Sequence, residues 1–198
     1  MHRRNSAKSA ISFSIPLNLE SKDNSDVIES ETVFSKQQIS KLREKFNSVI
    51  TPESTNAMKL DQFQKLLDLK DHDYDEHIFA AFDSDKKGTL SFFEFCNGLS
   101  NLSPKTQIES RAEFCFKIYD IDESGFIDKF ELTSILTQIF KMNKLPEPMI
   151  QPLIDTTYNQ MDANGDEEIS YPEFLASASK NNIFLEVISP QMIESLVS

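Results

Sequence analysis

The feature that most constrains this chain is a 12-residue loop, Asp120 to Glu131, in which oxygen-bearing side chains recur at fixed places. A hard cation such as calcium takes six to eight oxygen ligands, and such a loop supplies them from positions 1, 3, 5, 7, 9 and 12. Glycine normally stands at position 6, because the turn there needs a backbone angle that glycine adopts without strain. This loop, called loop 3 below, fits everywhere. Its predicted ligands are Asp120, Asp122, Ser124, the carbonyl of Phe126, Asp128 and Glu131, with Gly125 at the turn.

A second loop of the same design, loop 4, runs from Asp162 to Glu173 with one departure. Glu167 occupies position 6, and holding a non-glycine residue in a left-handed conformation costs about 1–2 kcal/mol. A micromolar site is worth about 8 kcal/mol, so this cost weakens calcium binding without abolishing it. The sequence therefore predicts a working site, whose ligands are Asp162, Asn164, Asp166, Glu168 through its carbonyl, Ser170 and Glu173.

Loop 2, from Asp83 to Glu94, carries a lysine where an oxygen ligand is expected. Lys87 stands at position 5, and an ammonium group offers no lone pair and repels a divalent ion. Two interpretations stay open. Lys87 swings outward and leaves a weak third calcium site, or it folds in and neutralises the carboxylates as a built-in cation. The candidate ligands are Asp83, Asp85, Ser91 and Glu94.

Loop 1, upstream of these, is degenerate. If Leu60 is its position 8, the residues at positions 1, 3, 5, 6 and 12 are Glu53, Thr55, Ala57, Met58 and Gln64. Ala57 offers no side-chain oxygen, and Gln64 cannot act as a bidentate carboxylate. The sequence predicts a structural role in which Leu60 pairs with Leu90, as Ile127 pairs with Ile169.

Apolar stripes with helical spacing flank each loop, so the predicted fold is all-α, with four helix–loop–helix units in two paired lobes joined internally by short loop–loop β bridges. The predicted lobes cover residues 34–100 and 106–181, with a flexible joint at Asn101–Lys105, where Pro104 interrupts the helical pattern. Among the residues after loop 3, the sequence does not separate core from groove. Those candidates are Phe130, Ile135, Leu136, Ile139, Phe140 and Met142.

The two ends of the chain have a different character. Residues 1–33 are Ser-rich and are predicted to form a disordered or partner-docking tail; a transit peptide and a kinase site at Ser6 are the alternatives. Residues 182–198 are more apolar than a solvated tail needs to be. This segment either folds back into the C-lobe groove until a partner displaces it, or packs permanently on the core.

Composition excludes several classes of function. The net charge of −12 disfavours nucleic acid and favours cations and basic peptides. We expect no membrane span, because no apolar run approaches the required length, and no myristoyl anchor, because position 2 is His2. Cys96 and Cys115 are interpreted as core thiols of a protein in a reducing compartment. Four glycines form no phosphate-binding loop and the three histidines join no nucleophile motif, so an enzyme is not expected.

The paired loops over residues 35–180 resemble the EF-hand superfamily, in particular calcineurin B-like regulatory subunits. The segments that carry this resemblance are Phe116–Asp122 with Gly125, Ile127, Glu131 and Leu132; Leu153–Thr157 leading into Asp162; and Phe82–Phe95 with Gly98–Ser100. Neuronal calcium sensors, calcium- and integrin-binding proteins and the ciliary calaxin type share these features. The resemblance implies two lobes with an apolar groove that holds a partner helix.

These observations favour a cytoplasmic calcium sensor, a subunit of a hetero-complex that binds an amphipathic helix of a partner protein. Two calcium ions are expected, with a third, weaker site at loop 2 and competition from Mg²⁺. The alternative is a structural component of a large cytoskeletal or ciliary assembly, such as an axonemal dynein-associated complex. A calcium buffer is disfavoured, because 16 Phe residues suit a protein that exposes apolar surface.

Overall fold

The computed structural model describes residues 23–51, 56–69 and 72–198, and within these ranges the secondary structure is helical apart from two isolated β bridges. The ten described α-helices are α1 (Ser25–Glu31), α2 (Lys36–Val49), α3 (Leu60–Leu66), α4 (His72–Phe82), α5 (Phe92–Leu102), α6 (Ile108–Tyr119), α7 (Lys129–Met142), α8 (Glu147–Met161), α9 (Tyr171–Ala178) and α10 (Pro190–Val197). A 3₁₀ turn spans Asn182–Leu185 between the last two helices. The predicted all-α fold of paired helix–loop–helix units is confirmed.

Each lobe is built from two helix–loop–helix units that meet at a β bridge. In the C-lobe the backbone groups of Ile127 and Ile169 exchange two hydrogen bonds of 2.9 Å. In the N-lobe the corresponding pair is Met58 and Leu90, with two bonds of 2.8 Å. All four residues are fully buried, so each bridge also anchors its loops in the core.

The predicted register of loop 1 is therefore wrong by two residues. Met58, not Leu60, pairs with Leu90, and Leu60 already begins α3. Both residues are apolar and stand two apart, a spacing that would put them on the same side of an extended segment, so the pattern alone did not separate them. The correct register puts Gln62 at position 12, while Gln64 donates a hydrogen bond of 3.1 Å from its amide to Asp75 Oδ2.

The predicted tail ends earlier than residue 33. Helix α1 begins after Asn24, whose side chain accepts the Asp26 N–H, and it buries Ile28 completely. Just before it, the Asp23 carboxylate accepts the N–H of Phe93 at 3.1 Å and its carbonyl accepts Arg43 Nη2 at 2.6 Å. Residues 23–33 are thus part of the N-lobe. Ser6 and the remainder of the predicted tail, up to residue 22, lie outside the described residues.

The two lobes pack against each other across the turn of residues 103–107. The rings of Phe82 and Phe114 meet edge to face with their centroids 5.6 Å apart. The C-terminal segment reinforces this contact, because the Tyr74 hydroxyl in α4 donates to the carbonyl of Val187. The connection after Leu102 accordingly joins lobes that share one core instead of separating them.

The C-terminal segment spans both lobes. Its 3₁₀ turn packs on α6, α7 and α9 and buries Phe184 and Leu185, whereas α10 packs on α2 of the N-lobe and buries Ile193 and Leu196. Lys41 in α2 donates to the carbonyl of Ser198. The segment thus folds back onto the core as both sequence interpretations required, and its last helix lies on the other lobe.

The structure also shows which of the apolar candidates after loop 3 are buried in the core and which are exposed. Ile135, Leu136 and Ile139 are fully buried, whereas Phe130 is 76% and Met142 41% exposed. Phe140 is buried as well. Both cysteines are buried and free, as predicted, and burial raises the pKa of the Cys115 thiol to about 12. No described helix is both long and apolar enough to cross a membrane.

Candidate calcium sites

Loop 3 brings its carboxylates together as an ion would require. Oxygens of Asp120, Asp122 and Glu131 lie within 4.8 Å of one another. Calcium binds oxygens at 2.3–2.6 Å, so ligands on opposite sides of one ion stand about 5 Å apart, and this cluster has the right size. The Gly125 N–H donates to Asp120 Oδ2 at 2.9 Å, which fixes the first ligand across the turn.

Glu131 ties the end of loop 3 to its beginning. Its Oε1 accepts the N–H groups of Ile121 and Asp122 at 2.8 and 3.2 Å, and its Oε2 accepts that of Asp128 at 2.8 Å. Burial raises the pKa of this carboxyl, and the same three backbone N–H groups oppose the rise. The residue is only 5% exposed and lies in the first turn of α7, so a ligand at Glu131 acts directly on that helix.

The other predicted ligands of loop 3 line its mouth. The Ser124 hydroxyl lies 3.3 Å from Asp120 Oδ1 and 3.1 Å from the carbonyl oxygen of Phe126. Asp128 caps α7 by accepting the Glu131 N–H at 2.8 Å. Ser124 and the Phe126 carbonyl therefore lie beside the cluster of Asp120, Asp122 and Glu131, and all six predicted ligand atoms are oxygens, which suit a hard cation.

Loop 4 has the same arrangement of predicted ligands, but its carboxylates lie farther apart. The Asn164 amide donates to Asp166 Oδ2 at 2.8 Å, and Asp162 accepts the N–H groups of Gly165, Asp166 and Glu167. In the described part of the chain its carboxylates do not form a cluster as tight as that of loop 3. Hydrogen bonds from the Ser170 hydroxyl and N–H lower the pKa of Glu173. Glu168 donates its N–H to Asp166 Oδ1 at 3.1 Å, next to the predicted carbonyl ligand.

Loop 2 also gathers three carboxylates, and it holds the lysine beside them. Oxygens of Asp83, Asp85 and Glu94 lie within 4.8 Å of one another. The ammonium of Lys87 lies 2.8 Å from Asp85 Oδ2, with 61% of the lysine side chain exposed. Asp85 Oδ1 is buried and accepts no hydrogen bond from the part of the chain that the structure describes. The lysine is therefore folded toward the loop, beside a buried carboxylate oxygen that has no hydrogen-bond partner among the described residues. The Ser91 hydroxyl and N–H donate to Glu94 Oε2 at 2.8 and 2.9 Å.

One contact is common to all four loops. The position 12 side chain accepts the N–H of position 9: Gln62 from Lys59 at 2.9 Å, Glu94 from Ser91 at 2.9 Å, Glu131 from Asp128 at 2.8 Å and Glu173 from Ser170 at 2.9 Å. An amide oxygen serves this structural purpose as well as a carboxylate. It does not serve as a bidentate ligand, so loop 1 keeps its shape without the chemistry.

Sequence reasoning missed Tyr158, which contacts loop 4 from outside. Its hydroxyl donates to the carbonyl of Glu167, the non-glycine residue at position 6. Lys129 lies over its ring, 5.7 Å from the centroid, and pairs with Asp155 at 2.8 Å. The sequence does contain a signal for this residue. Phe79 and Phe116 stand four residues before loops 2 and 3, so a tyrosine at the same place before loop 4 adds a hydroxyl that the other two loops lack.

Paired helix–loop–helix units with convergent oxygen ligands define a calcium-binding protein of the EF-hand class, and comparisons with known proteins agree. The EF-hand domain pair family matches residues 109–179, and an EF-hand family matches residues 75–97. Calcineurin B of Yarrowia lipolytica is 31% identical over 153 residues, which cover 77% of this chain and 87% of the relative.

Two further relatives indicate which group of EF-hand proteins the chain belongs to. The type 2 calcineurin B of Bos taurus is 32% identical over 143 residues, covering 72% of this chain and 83% of the relative. Guanylyl cyclase-activating protein 2 of Lithobates pipiens is 28% identical over 163 residues, covering 76% and 82%. The chain belongs to the calcineurin B-like and neuronal calcium sensor group of EF-hand proteins. It is a calcium-binding regulatory protein of the sensor kind.

Proposed function

We propose that this chain is a calcium-responsive regulatory subunit whose C-lobe binds an amphipathic helix of a partner protein. The observation that carries the proposal is the place of Glu131. This ligand lies in the first turn of α7, and the buried face of the same helix, with Leu132 and Ile135, forms a wall of the C-lobe core. A calcium ion that draws Glu131 inward rotates α7 and opens that wall, as in sensor EF-hands.

Two loops supply the calcium sites in this proposal. In loop 3 and loop 4 every ligand position carries an oxygen donor, and loop 3 already holds its acids in a cluster of ionic size. Bound calcium would supply charge and coordination, and would replace internal hydrogen bonds such as that between Asn164 and Asp166. The proposed ligands are Asp120, Asp122, Ser124, Phe126, Asp128 and Glu131, and Asp162, Asn164, Asp166, Glu168, Ser170 and Glu173.

The proposed place for the partner helix is the one that the 3₁₀ turn takes now. Phe184 and Leu185 pack among α6, α7 and α9, where an amphipathic helix would bury its own apolar side chains. Exposed Phe130, Met149 and Leu153 add apolar surface to α7 and α8. The net charge of −12 favours a basic partner. In this proposal the chain regulates its partner and catalyses nothing itself.

The experiment measures binding of a synthetic Leu/Lys amphipathic helical peptide to the full chain by fluorescence anisotropy. The controls are a scrambled peptide of equal composition and the Glu131→Gln variant. We expect binding at least tenfold tighter with calcium than with a chelator, and loss of that difference in the variant. Equal binding in calcium and chelator, or equal binding of the scrambled peptide, would count against the proposal.

The place of binding is tested separately with a peptide of residues 182–198 added in trans. It should compete with the amphipathic peptide, because both fill the same pocket. Removal of the residues after Asn181 should increase dye binding to apolar surface and strengthen peptide binding. If the truncated chain binds the peptide no better and the added segment does not compete, the C-terminal segment is a permanent part of the core.

A second function, a structural component of a cytoskeletal or ciliary assembly, is favoured by loop 1. Lys59 at position 9 and Gln62 at position 12 keep the N-lobe folded without a calcium ligand set. Co-sedimentation with purified axonemes separates the two functions. A structural component stays bound when calcium is chelated, whereas a sensor with a ciliary partner changes its retention with calcium. A cytoplasmic location suits either role.

A further inference from the structure

Loops 2, 3 and 4 each have two backbone positions in the left-handed region, and loop 4 places its glycine at the other one. At position 6 the φ values are 75° for Gly88 and 89° for Gly125, but 67° for Glu167. At position 4, loop 4 has Gly165 at 75°, where loop 3 has Glu123 at 58°. The backbone of loop 4 is therefore the same, while position 6 carries a side chain that disfavours this conformation.

A hydrogen bond from a tyrosine outside the loop holds this residue. The Tyr158 hydroxyl donates to the Glu167 carbonyl, and the Glu167 N–H donates to Asp162 Oδ2 at 3.1 Å. The N–H and the carbonyl of Glu167 are thus both hydrogen-bonded. In loops 2 and 3 the N–H group is held in the same way, by Asp83 and Asp120. Loop 4 differs from these two loops in the additional hydrogen bond that the Glu167 carbonyl accepts from Tyr158.

The residues at the place of Tyr158 explain the difference. Tyr158 stands four residues before the start of its loop, as Phe79 does before loop 2 and Phe116 before loop 3. A phenylalanine fills the same space but has no hydroxyl to donate. Among loops 2, 3 and 4, the two with glycine at position 6 follow a phenylalanine, and loop 4 follows a tyrosine. Loop 1 has Asn56 at position 6 with φ 58°, and asparagine tolerates this conformation better than glutamate does.

A lysine of the neighbouring unit lies over the ring of Tyr158. Lys129, at position 10 of loop 3, lies 5.7 Å from the ring centroid and forms an ion pair with Asp155 at 2.8 Å. The pseudo-symmetric contact in the other direction is Phe116 against Tyr171, at 5.6 Å. Tyr158 is only 6% exposed, and its hydroxyl reaches the turn of loop 4 through the hydrogen bond to the Glu167 carbonyl.

We propose that Tyr158 is a positioning residue of loop 4: its hydroxyl fastens the Glu167 carbonyl and holds position 6 in the left-handed conformation that calcium binding needs, in place of the missing glycine. This inference rests on the proposed calcium site in loop 4. The Tyr158 hydroxyl thus compensates for the absence of glycine at position 6 of loop 4.

The test is a calcium titration of the ¹⁵N-labelled full chain without magnesium, in which the Ile169 amide reports loop 4 and the Ile127 amide reports loop 3. Four chains are compared: the wild type, Tyr158→Phe, Glu167→Gly and the double variant. We expect Tyr158→Phe to weaken loop 4 about fivefold, the typical value of one hydrogen bond. In the Glu167→Gly background the same substitution should change the affinity less than twofold.

The matched control is Tyr171→Phe: Tyr171 stands at position 10 of loop 4 and is not a proposed ligand, and its hydroxyl donates to the Glu109 carbonyl in α6 and not to the turn of the loop. It should leave both amides unchanged. Equal losses from Tyr158→Phe in the two backgrounds would show a general packing role and overturn the inference, as would no loss in either. If the wild-type Ile169 amide never responds to calcium, the proposed site in loop 4 fails and the inference with it.

Discussion

The two lobes of this protein share one scaffold and differ in the chemistry that it carries. Both have a β bridge of two hydrogen bonds, Met58 with Leu90 and Ile127 with Ile169. Both have a position 12 side chain that closes the loop onto position 9. In the C-lobe this side chain is a carboxylate in both loops, whereas loop 1 has Gln62. The requirements for folding an EF-hand are thus separable from those for binding calcium.

The largest predicted effect comes from exchanging the residues that distinguish the lobes. Glu131→Gln keeps the hydrogen bond to position 9 but removes the bidentate charge, so calcium affinity at loop 3 should fall roughly a hundredfold. The reverse change, Gln62→Glu, should create no site, because position 9 is Lys59. Calcium titrations of both variants test this. A calcium site gained by Gln62→Glu would show that one residue separates loop 1 from a calcium-binding loop.

The next effect concerns helix packing. A Cβ at Gly98 would lie 2.2 Å from the ring of Phe82, which is itself buried against Phe63 and Phe114. Gly98→Ala should therefore reduce the free energy of unfolding by about 2 kcal/mol, the usual cost of overpacking. Ser177 occupies the corresponding place in the C-lobe, four residues after position 12, so Ser177→Ala is the matched control. Chemical denaturation of both variants measures the difference, and equal stability would contradict the close approach.

A smaller effect is expected at loop 2, which has the carboxylates that loop 3 has and loop 1 lacks, but carries Lys87 at position 5. Lys87→Asn removes the ammonium from Asp85 and supplies an oxygen at position 5, beside a buried carboxylate oxygen without a partner among the described residues. We expect calcium affinity at loop 2 to rise about tenfold, equivalent to about 1.4 kcal/mol, and the number of ions bound per chain to rise from two to three. Lys86→Asn, at the neighbouring exposed position, serves as the control. An unchanged number of bound ions in Lys87→Asn would show that the lysine is not what excludes calcium.

The smallest effect concerns the ion pair between the lobes. Lys86 of loop 2 lies 2.6 Å from Glu123 of loop 3, and both side chains are more than 70% exposed. Exposed pairs contribute little, so Lys86→Ala should change the calcium affinity of loop 3 less than twofold. The Ile127 amide reports that affinity. A larger change would mean that loops 2 and 3 are coupled through this pair.

Loops 2, 3 and 4 could be predicted from sequence because their side-chain oxygens and position 8 residues fix the register independently. Loop 1 lacks those oxygens, and the choice between Met58 and Leu60 then rested on apolar character alone. The structure decides it, since Met58 is fully buried at the bridge and Leu60 begins a helix.

Other features depend on tertiary contacts that periodicity does not show. Helix α1 has seven residues and one buried side chain, Ile28, so its pattern is too short to indicate a helix. Its stability comes from the lobe that it covers, through Asp23, Phe93 and Arg43. The course of the C-terminal segment across both lobes likewise depends on partners far away in the chain, such as Tyr74 and Lys41.

The most direct test of calcium binding by the C-lobe is a calorimetric calcium titration of the full chain with about 1 mM magnesium present. Two ions per chain should bind with affinities in the sensor range of roughly 10⁻⁷ to 10⁻⁵ M. Both should be lost in a Glu131→Gln, Glu173→Gln double variant. No binding in the wild type, or binding that survives the double substitution, would contradict the claim that calcium acts through the C-lobe.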